Sequence, residues 1–475
     1  MLSLLHISPV LLVLSAILIF KQPPVRAALV GATLAVALMF LGAGQPLSRE
    51  LSQWIAQDTL ILFVSVAFVL APGMMLVVLI ERTGATQALS TWVGNLKLQG
   101  VQQLGFIVLG LAPLLESMTG FGVSLIAVIP VLLALFDRDK ALRIALAGMV
   151  IMPWGTLGLA TVVGATLLDV APAKLASQTA ITSAPVFVGL ALTATWIAGY
   201  RKLTAYISML AIAMLFVSVL YVASAWLGPE IAGVSAGFAV VLVGLLKSCP
   251  KIPSAIHWPA AAWPYMLLFF CVIALKILVV VTQADIWLVV QGASIAWKPL
   301  ASPGVPILLV CLVLLARRDE RLGLQTFWQS VSQRARRPLL TILCFLFMSQ
   351  VMVKAGFLSG VRDRLSAMDS ELLPFLGAIL GGIGGYLTGS NVGGNVLMMP
   401  AIADLPASLL PSMAATLNSA AGHAALGSLP MIATIAGLAK INNPEEQRLV
   451  RFALVVVVVN MALVGCAGAF LAYFN

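Results

Sequence analysis

The chain has 475 residues, 61% of them hydrophobic and only 9% charged, with a formal net charge of +10 and a mean hydropathy of +1.07. A soluble domain carries roughly 25% charged residues, so this composition excludes a water-soluble enzyme and points to lipid as the solvent. At about 20 apolar residues per spanning helix, the chain is long enough for about a dozen spans. The five cysteines (Cys249, Cys271, Cys311, Cys344 and Cys466) are scattered through mostly apolar runs without a CxxC pair, which argues against a disulfide framework or a zinc site.

The first apolar run, Leu4 to Phe20, precedes the basic residues Lys21 and Arg26. That order is the reverse of a cleavable signal and reads as a retained helix with its N-terminus outside. Spanning runs are expected over 3–20, 25–42, 59–80, 180–199, 203–227, 230–246, 261–281, 301–316, 338–357 and 448–473. Two stretches break the pattern. Residues 104–136 hold two apolar arms around Glu116-Ser117-Met118-Thr119-Gly120-Phe121-Gly122, and residues 374–400 repeat the design around Thr388-Gly389-Ser390-Asn391-Val392-Gly393-Gly394-Asn395. Arms of about a dozen residues reach roughly 18–20 Å, short of a 30 Å hydrocarbon core, so both stretches are expected to be re-entrant hairpins. Each is followed by an interrupted apolar stretch. The first, 141–168, is expected to break at Pro153-Trp154-Gly155, and the second, 408–438, near Asn418-Ser419-Ala420-Ala421-Gly422. The Thr-Gly pairs and the prolines that follow them, Pro130 and Pro400, match in layout, as transporter repeats do.

With hairpins returning to their own side and every other run crossing, most of the 27 Lys and Arg residues fall on one side. Only Arg49, Lys174, Lys298, Arg362 and Arg364 fall on the other, and Lys276 and Lys354 remain inside apolar runs. The positive-inside rule makes the basic side cytoplasmic, places both termini outside and inverts the two repeats. The expected architecture is an all-α polytopic membrane protein with about 12 spanning helices and two re-entrant hairpins. N-terminal helices occupy 1–58, a first inverted repeat 59–202, connecting helices 203–316 and a second repeat 317–475. The net positive charge is then an orientation signal, and no nucleic-acid partner is expected.

Broken backbone in lipid is tolerated only where it is buried in protein or lines a cavity, so two hairpin tips and two helix breaks should meet near the midplane. Helix N-termini there suit an anion and free carbonyls a cation, while glycines let backbone approach a ligand. The candidate binding residues are Ser117, Thr119, Gly120, Gly122, Trp154, Gly155, Thr388, Gly389, Ser390, Asn391, Asn395, Asn418 and Ser419. Glu116 is the only acidic residue that this layout puts inside the membrane, where an ionisable side chain is by default functional; it is the candidate proton carrier. His423, beside the second break, is a candidate relay, with a packing role the alternative. Lys354 is either a snorkelling interfacial lysine or a counter-charge for Glu116 or an anionic substrate. His6 and His257 look peripheral. No nucleotide loop, catalytic triad or metal cluster is visible, so neither catalysis nor a cofactor is expected.

Leu115-Glu116 followed by Gly120-Phe121-Gly122 resembles the lactate permease pattern L-E-G-A-A-G-F-G. Leu387-Thr388-Gly389-Ser390 followed by Asn395 resembles the second pattern of that family, L-T-G-S-D-T-S-S-N. Weaker echoes run through Pro153 to Gly158, Asn418 and Pro430, and Arg451-Phe452. The family is similar to the larger ion transporter superfamily, which implies inverted repeats, two hairpins and often a dimeric, elevator-like mechanism in the inner membrane. It also implies proton-coupled uptake of lactate, glycolate and related 2-hydroxy monocarboxylates. This chain departs from the pattern. Asn391 replaces an Asp, Val392-Gly393-Gly394 replaces T-S-S, Leu426 replaces a lysine expected before Pro430, and Ala260 replaces an arginine expected before Pro264. The reading is a secondary transporter of a small monocarboxylate coupled to protons. Sodium-coupled transport of another organic anion, or cation/proton antiport, stays open as the alternative.

Overall fold

The computed structural model describes residues 2–96, 98–120, 122–248, 259–317, 323–403 and 405–474. The expectations for Lys97, Phe121, Cys249, Lys251, His257, Arg318 and Arg321 lie outside the described residues. The fold is almost entirely helical, as lipid demands, because a helix satisfies its backbone polar groups within one segment. Among the described residues the exception is a two-stranded antiparallel ribbon that pairs Val290 with Trp297 and Gln291 with Ala296. Among the described residues, nine helices are long and apolar enough to cross a membrane, or up to ten if one bent pair counts as a single span. Shorter apolar helices such as Pro24–Phe40, Val123–Leu135 and Leu373–Thr388 accompany them.

One layer is built on the long helices Arg49–Thr83 and Leu324–Lys354, which pack on each other, with Pro24–Phe40 and Gly304–Ala316 alongside. Ser48 opens the first of these by accepting from the Leu51 amide at 3.0 Å, and Gly84 closes it at φ +68°. The other layer holds both interrupted helices, which pack on the helix Pro172–Ile197, and both hairpins, the first packed on Pro229–Ser248 and the second on Leu410–Ala425. Its centre, the segment Gly100–Thr119, is almost wholly buried, whereas Trp263–Thr282 exposes most of its apolar surface.

The second hairpin has the arms Leu373–Thr388 and Asn391–Met398, followed by a 3-10 turn at Met399–Ile402. Gly377, Gly381 and Gly385 form a stripe at helical spacing. A Cβ on these glycines would run into the side chain of Met413 and the backbone carbonyls of Leu417 and Ala421. Small residues allow that close helix contact, which is the packing available inside lipid. Gly394 in the return arm sits against the Gly385 backbone in the same way. The first hairpin is cradled instead by glycines on its neighbour, Pro229–Ser248, with Gly237 against Leu114 and Gly244 against Phe106.

Two expectations are corrected. The first arm of the first hairpin is not about a dozen residues. It is a 20-residue helical segment, Gly100–Thr119, reaching roughly 30 Å, and it passes through π turns at Phe106–Leu111. The arm-length argument therefore holds for Val123–Leu135 but not for its partner. The second interrupted stretch does not break near Asn418–Gly422 either. The helix Leu410–Ala425 runs through that segment, and the interruption comes at residues 426–428, before Leu429–Ala439. The alanines favour helix, and Asn418 and Ser419 bond across to other helices rather than competing for their own backbone. Pro430 removes an amide donor and disfavours helical backbone at Leu429, which puts the stop just upstream of it.

Candidate functional site

At the first tip, the Glu116 carboxylate is folded back on its own hairpin. It accepts from the Gly122 amide at 3.0 Å and the Ser124 hydroxyl at 2.9 Å. Gly120 has φ +69° and ψ −167°, backbone that only glycine adopts. A Cβ there would strike Thr156, whose hydroxyl donates to the Thr119 carbonyl at 3.5 Å. Thr119 itself donates to the Leu115 carbonyl at 2.7 Å. Ser117 is buried without a hydrogen-bond partner and, with Trp154, closes on Gly233.

The first broken helix bends by 54° between Arg138–Ala147 and Met152–Leu167. Beyond Trp154 and Gly155 the chain makes a left-handed turn, with φ of 52°, 55° and 71° at Thr156, Leu157 and Gly158. Left-handed backbone at two non-glycine residues costs roughly 1–3 kcal/mol each, so the surroundings must hold it. Gly120 presses on it from one side and the Pro229 backbone meets Gly158 on another. The fully buried Trp154 indole donates to Ser224 at 3.1 Å and packs on Phe187.

At the second tip, Gly389 turns the chain at φ +65° against Pro430. The Thr388 hydroxyl contacts the Gly384 carbonyl at 2.8 Å, and Ser390 caps the return arm by accepting from the Gly393 amide at 3.3 Å. The return arm delivers Asn391 and Asn395 to the second broken helix. Asn395 Nδ2 donates to Asn418 Oδ1 at 2.8 Å and to the Ala160 carbonyl at 2.9 Å. Asn391 Nδ2 reaches the same Asn418 oxygen at 3.5 Å. Asn418 Nδ2 donates to Thr161 at 2.9 Å and Thr179 at 3.0 Å. Ser419 bonds Thr182, Ser183 and the Thr179 carbonyl. Gly422 packs on Pro153 beside Asn391. His423 is fully buried with neither ring nitrogen hydrogen-bonded, and its ring stands edge-on to Phe187 at 5.5 Å.

The second tip and the two interrupted helices thus converge on one buried, neutral, polar cluster, which the first tip joins through Thr156. Two candidates lie elsewhere. Glu116 has its hydrogen-bond partners inside its own hairpin. Lys354 is not a counter-charge to Glu116: its ammonium pairs with Asp58 at 3.0 Å and donates to Ser294 at 2.8 Å. Asp58, just ahead of the expected span 59–80, is a second buried acid. Its side chain is fully buried in Arg49–Thr83 and accepts from the Ala293 and Ser294 amides and the Ser294 hydroxyl. Lys276, in the apolar helix Trp263–Thr282, pairs with Glu230 at 3.3 Å. Thr161, Thr179, Thr182 and Ser183 belong to the cluster and are absent from the sequence candidates. Their signal is visible in hindsight: Thr179, Thr182 and Ser183 sit at helical spacing on one face of Pro172–Ile197, the pattern of interhelical polar contacts. Among the described residues no group of three His, Cys, Asp or Glu stands ready to hold a metal ion.

Residues 240–475 match the L-lactate permease family. The matched stretch contains the second tip and the second interrupted helix, and the first tip lies outside it. No curated protein matches the sequence. Among solved structures, the YdaH transporter of Alcanivorax borkumensis, described as having an unusual topology, shares this fold with a TM-score of 0.54. The match covers 95% of this chain and 99% of that chain at 15% identity.

Proposed function

We propose, from the match of residues 240–475 to the L-lactate permease family and the transporter fold, that the chain is a proton-coupled symporter of a small monocarboxylate such as lactate or glycolate. That match and the apolar helices support a multi-pass membrane transporter. The substrate and the coupling ion are our reading. The observation that carries it is the wholly buried cluster of Asn391, Asn395, Asn418, Ser419 and His423, assembled from a hairpin tip and two interrupted helices. The hydrogen-bond partners described for these residues include no lysine, arginine or carboxylate.

A monocarboxylate asks for about one unit of positive potential. Helix N-termini supply about half a unit each, and Asn391 opens the return arm beside Ser390. A dicarboxylate would need cationic side chains, and Lys354 is engaged by Asp58. Glu116 is the proposed proton carrier because it is fully buried and bonded only to neutral donors. The basic loops support an inner-membrane orientation with both termini periplasmic. A homodimer accords with the superfamily resemblance.

The test is uptake of labelled lactate by purified protein in liposomes, with proton and sodium gradients imposed separately. Accumulation driven by the proton gradient alone is the expected result. Accumulation driven by sodium alone would overturn the coupling assignment, and stronger competition by succinate or citrate than by lactate would overturn the substrate assignment.

A further inference from the structure

The direction of each hydrogen bond around Asn418 is forced, and the chain of donors leaves two buried acceptors in the tip without a donor. Thr161 donates its single hydroxyl proton to the Pro153 carbonyl at 2.7 Å, so toward Asn418 it can only accept. That fixes Asn418 with Nδ2 toward Thr161 and Thr179 and Oδ1 toward Asn395. Asn395 must then present Nδ2 to Asn418, and the Ala160 carbonyl takes the other hydrogen. Reversing the Asn395 amide would face oxygen against oxygen at both contacts. Asn395 Oδ1 is therefore an acceptor by necessity. It is fully buried and no protein group donates to it, and Asn391 Oδ1, in the same tip, is in the same state. A buried acceptor without a donor costs about 1–3 kcal/mol, so the tip favours a ligand that brings a donor to these two oxygens.

We propose that Asn395 is the residue that distinguishes a 2-hydroxy acid from a 2-oxo or unsubstituted acid, with Asn418 and Thr161 as positioning residues that fix the direction of its amide. This rests on the monocarboxylate reading and adds the atom responsible for selection. A carboxylate brings no proton and repels an amide oxygen, so it lies toward donors instead. The 2-hydroxyl of the same molecule is the group that donates to Asn395. A 2-oxo acid places a second acceptor there, and an unsubstituted acid places a methylene. Both leave Asn395 Oδ1 unsatisfied, which is the situation in which a polar site discriminates most strongly.

The experiment is competition against labelled lactate uptake in proteoliposomes by lactate, pyruvate and propionate, in sodium-free and sodium-containing buffer. Wild-type protein should prefer lactate by about tenfold or more over both analogues. In Asn395→Leu that preference should fall to within about threefold. Thr161→Val removes the bond that sets the polarity and should erode the preference in the same direction; it carries the test if Asn395→Leu does not reach the membrane. Uptake of lactate with no preference over pyruvate, or an unchanged preference in both variants, would overturn the inference alone. A strict sodium requirement for lactate competition that Asn395→Leu abolishes would also overturn it, assigning the oxygens to a cation. Absence of uptake or competition with every monocarboxylate would overturn the transport reading and this inference with it.

Discussion

Single residues in this molecule divide by whether a protein partner satisfies them. Glu116 accepts from Gly122 at one oxygen and from Ser124 at the other; a glutamine can keep the Gly122 amide on its oxygen and donate its NH2 to the Ser124 hydroxyl, which can turn its proton to Met149 Sδ. Glu116→Gln should therefore fold and insert while losing proton-driven accumulation, leaving lactate exchange within about threefold of wild type. Coupled uptake at the wild-type level would remove Glu116 from the mechanism. Gly120 has no such tolerance. Gly120→Ala combines glycine-only backbone with a collision on Thr156 and should cost at least about 2 kcal/mol, read as a lower melting temperature in detergent. A variant melting with wild type would mean that the tip relaxes freely. The pair of Asp58 and Lys354 gives a signed comparison. Asp58→Asn strips the partly exposed Lys354 ammonium of its counter-charge, so it should destabilise by about 1–3 kcal/mol. Adding Lys354→Met should restore part of that loss, because removing both charges is gentler than removing one. A double variant less stable than the single would contradict the pairing.

Among elements, the polar face of Pro172–Ile197 stands out. Thr179, Thr182 and Ser183 hold Asn418 and Ser419 from the side. Interhelical hydrogen bonds in lipid contribute about 0.6–2 kcal/mol each. Thr182→Val with Ser183→Ala should then lower the melting temperature modestly and raise the KM for uptake more than it lowers the maximal rate, since it loosens the positioning of the cluster. A pure fall in maximal rate with KM unchanged would speak against a positioning role. The element-scale reading of the hairpins rested on arm length. It fitted Val123–Leu135 and failed for Gly100–Thr119, because that helix starts ahead of the apolar run, through Gln102 and Gln103, and continues through Glu116, Ser117 and Thr119, which the sequence reading assigned to the tip.

At the scale of the whole molecule, the distribution of basic residues predicts orientation. Cysteines placed at Ser3 and Gln447 in a cysteine-free background should react with an impermeant reagent from outside and inside respectively. Both reacting from one side would refute the layout. Two packing systems build the whole, one on the helices Arg49–Thr83 and Leu324–Lys354 and one around the hairpins. The Asp58 ion pair belongs to the first and ties it to the ribbon at Val290–Trp297. The candidate site belongs to the second.

The sequence by itself determined the solvent, the helical class, the two polar interruptions and the identity of most cluster residues. Each of these follows from local chemistry: apolar runs of spanning length, glycine and proline that loosen backbone, and amides and hydroxyls that lipid does not tolerate unpaired. Asn391, Asn395, Asn418, Ser419 and His423 were all legible that way. Only the tertiary structure decided which of them are saturated. Whether Asn418 spends all its hydrogen bonds on protein, whether Lys354 meets Glu116 or Asp58, and which way the Asn395 amide faces depend on side chains contributed by helices far apart in the chain. Thr161 and Thr179 reach Asn418 across more than half the sequence, and no spacing rule connects them. The same holds for the second interruption. Local signals allowed a stop anywhere between Asn418 and Pro430, and cross-helix hydrogen bonds kept the helix intact until the proline ended it.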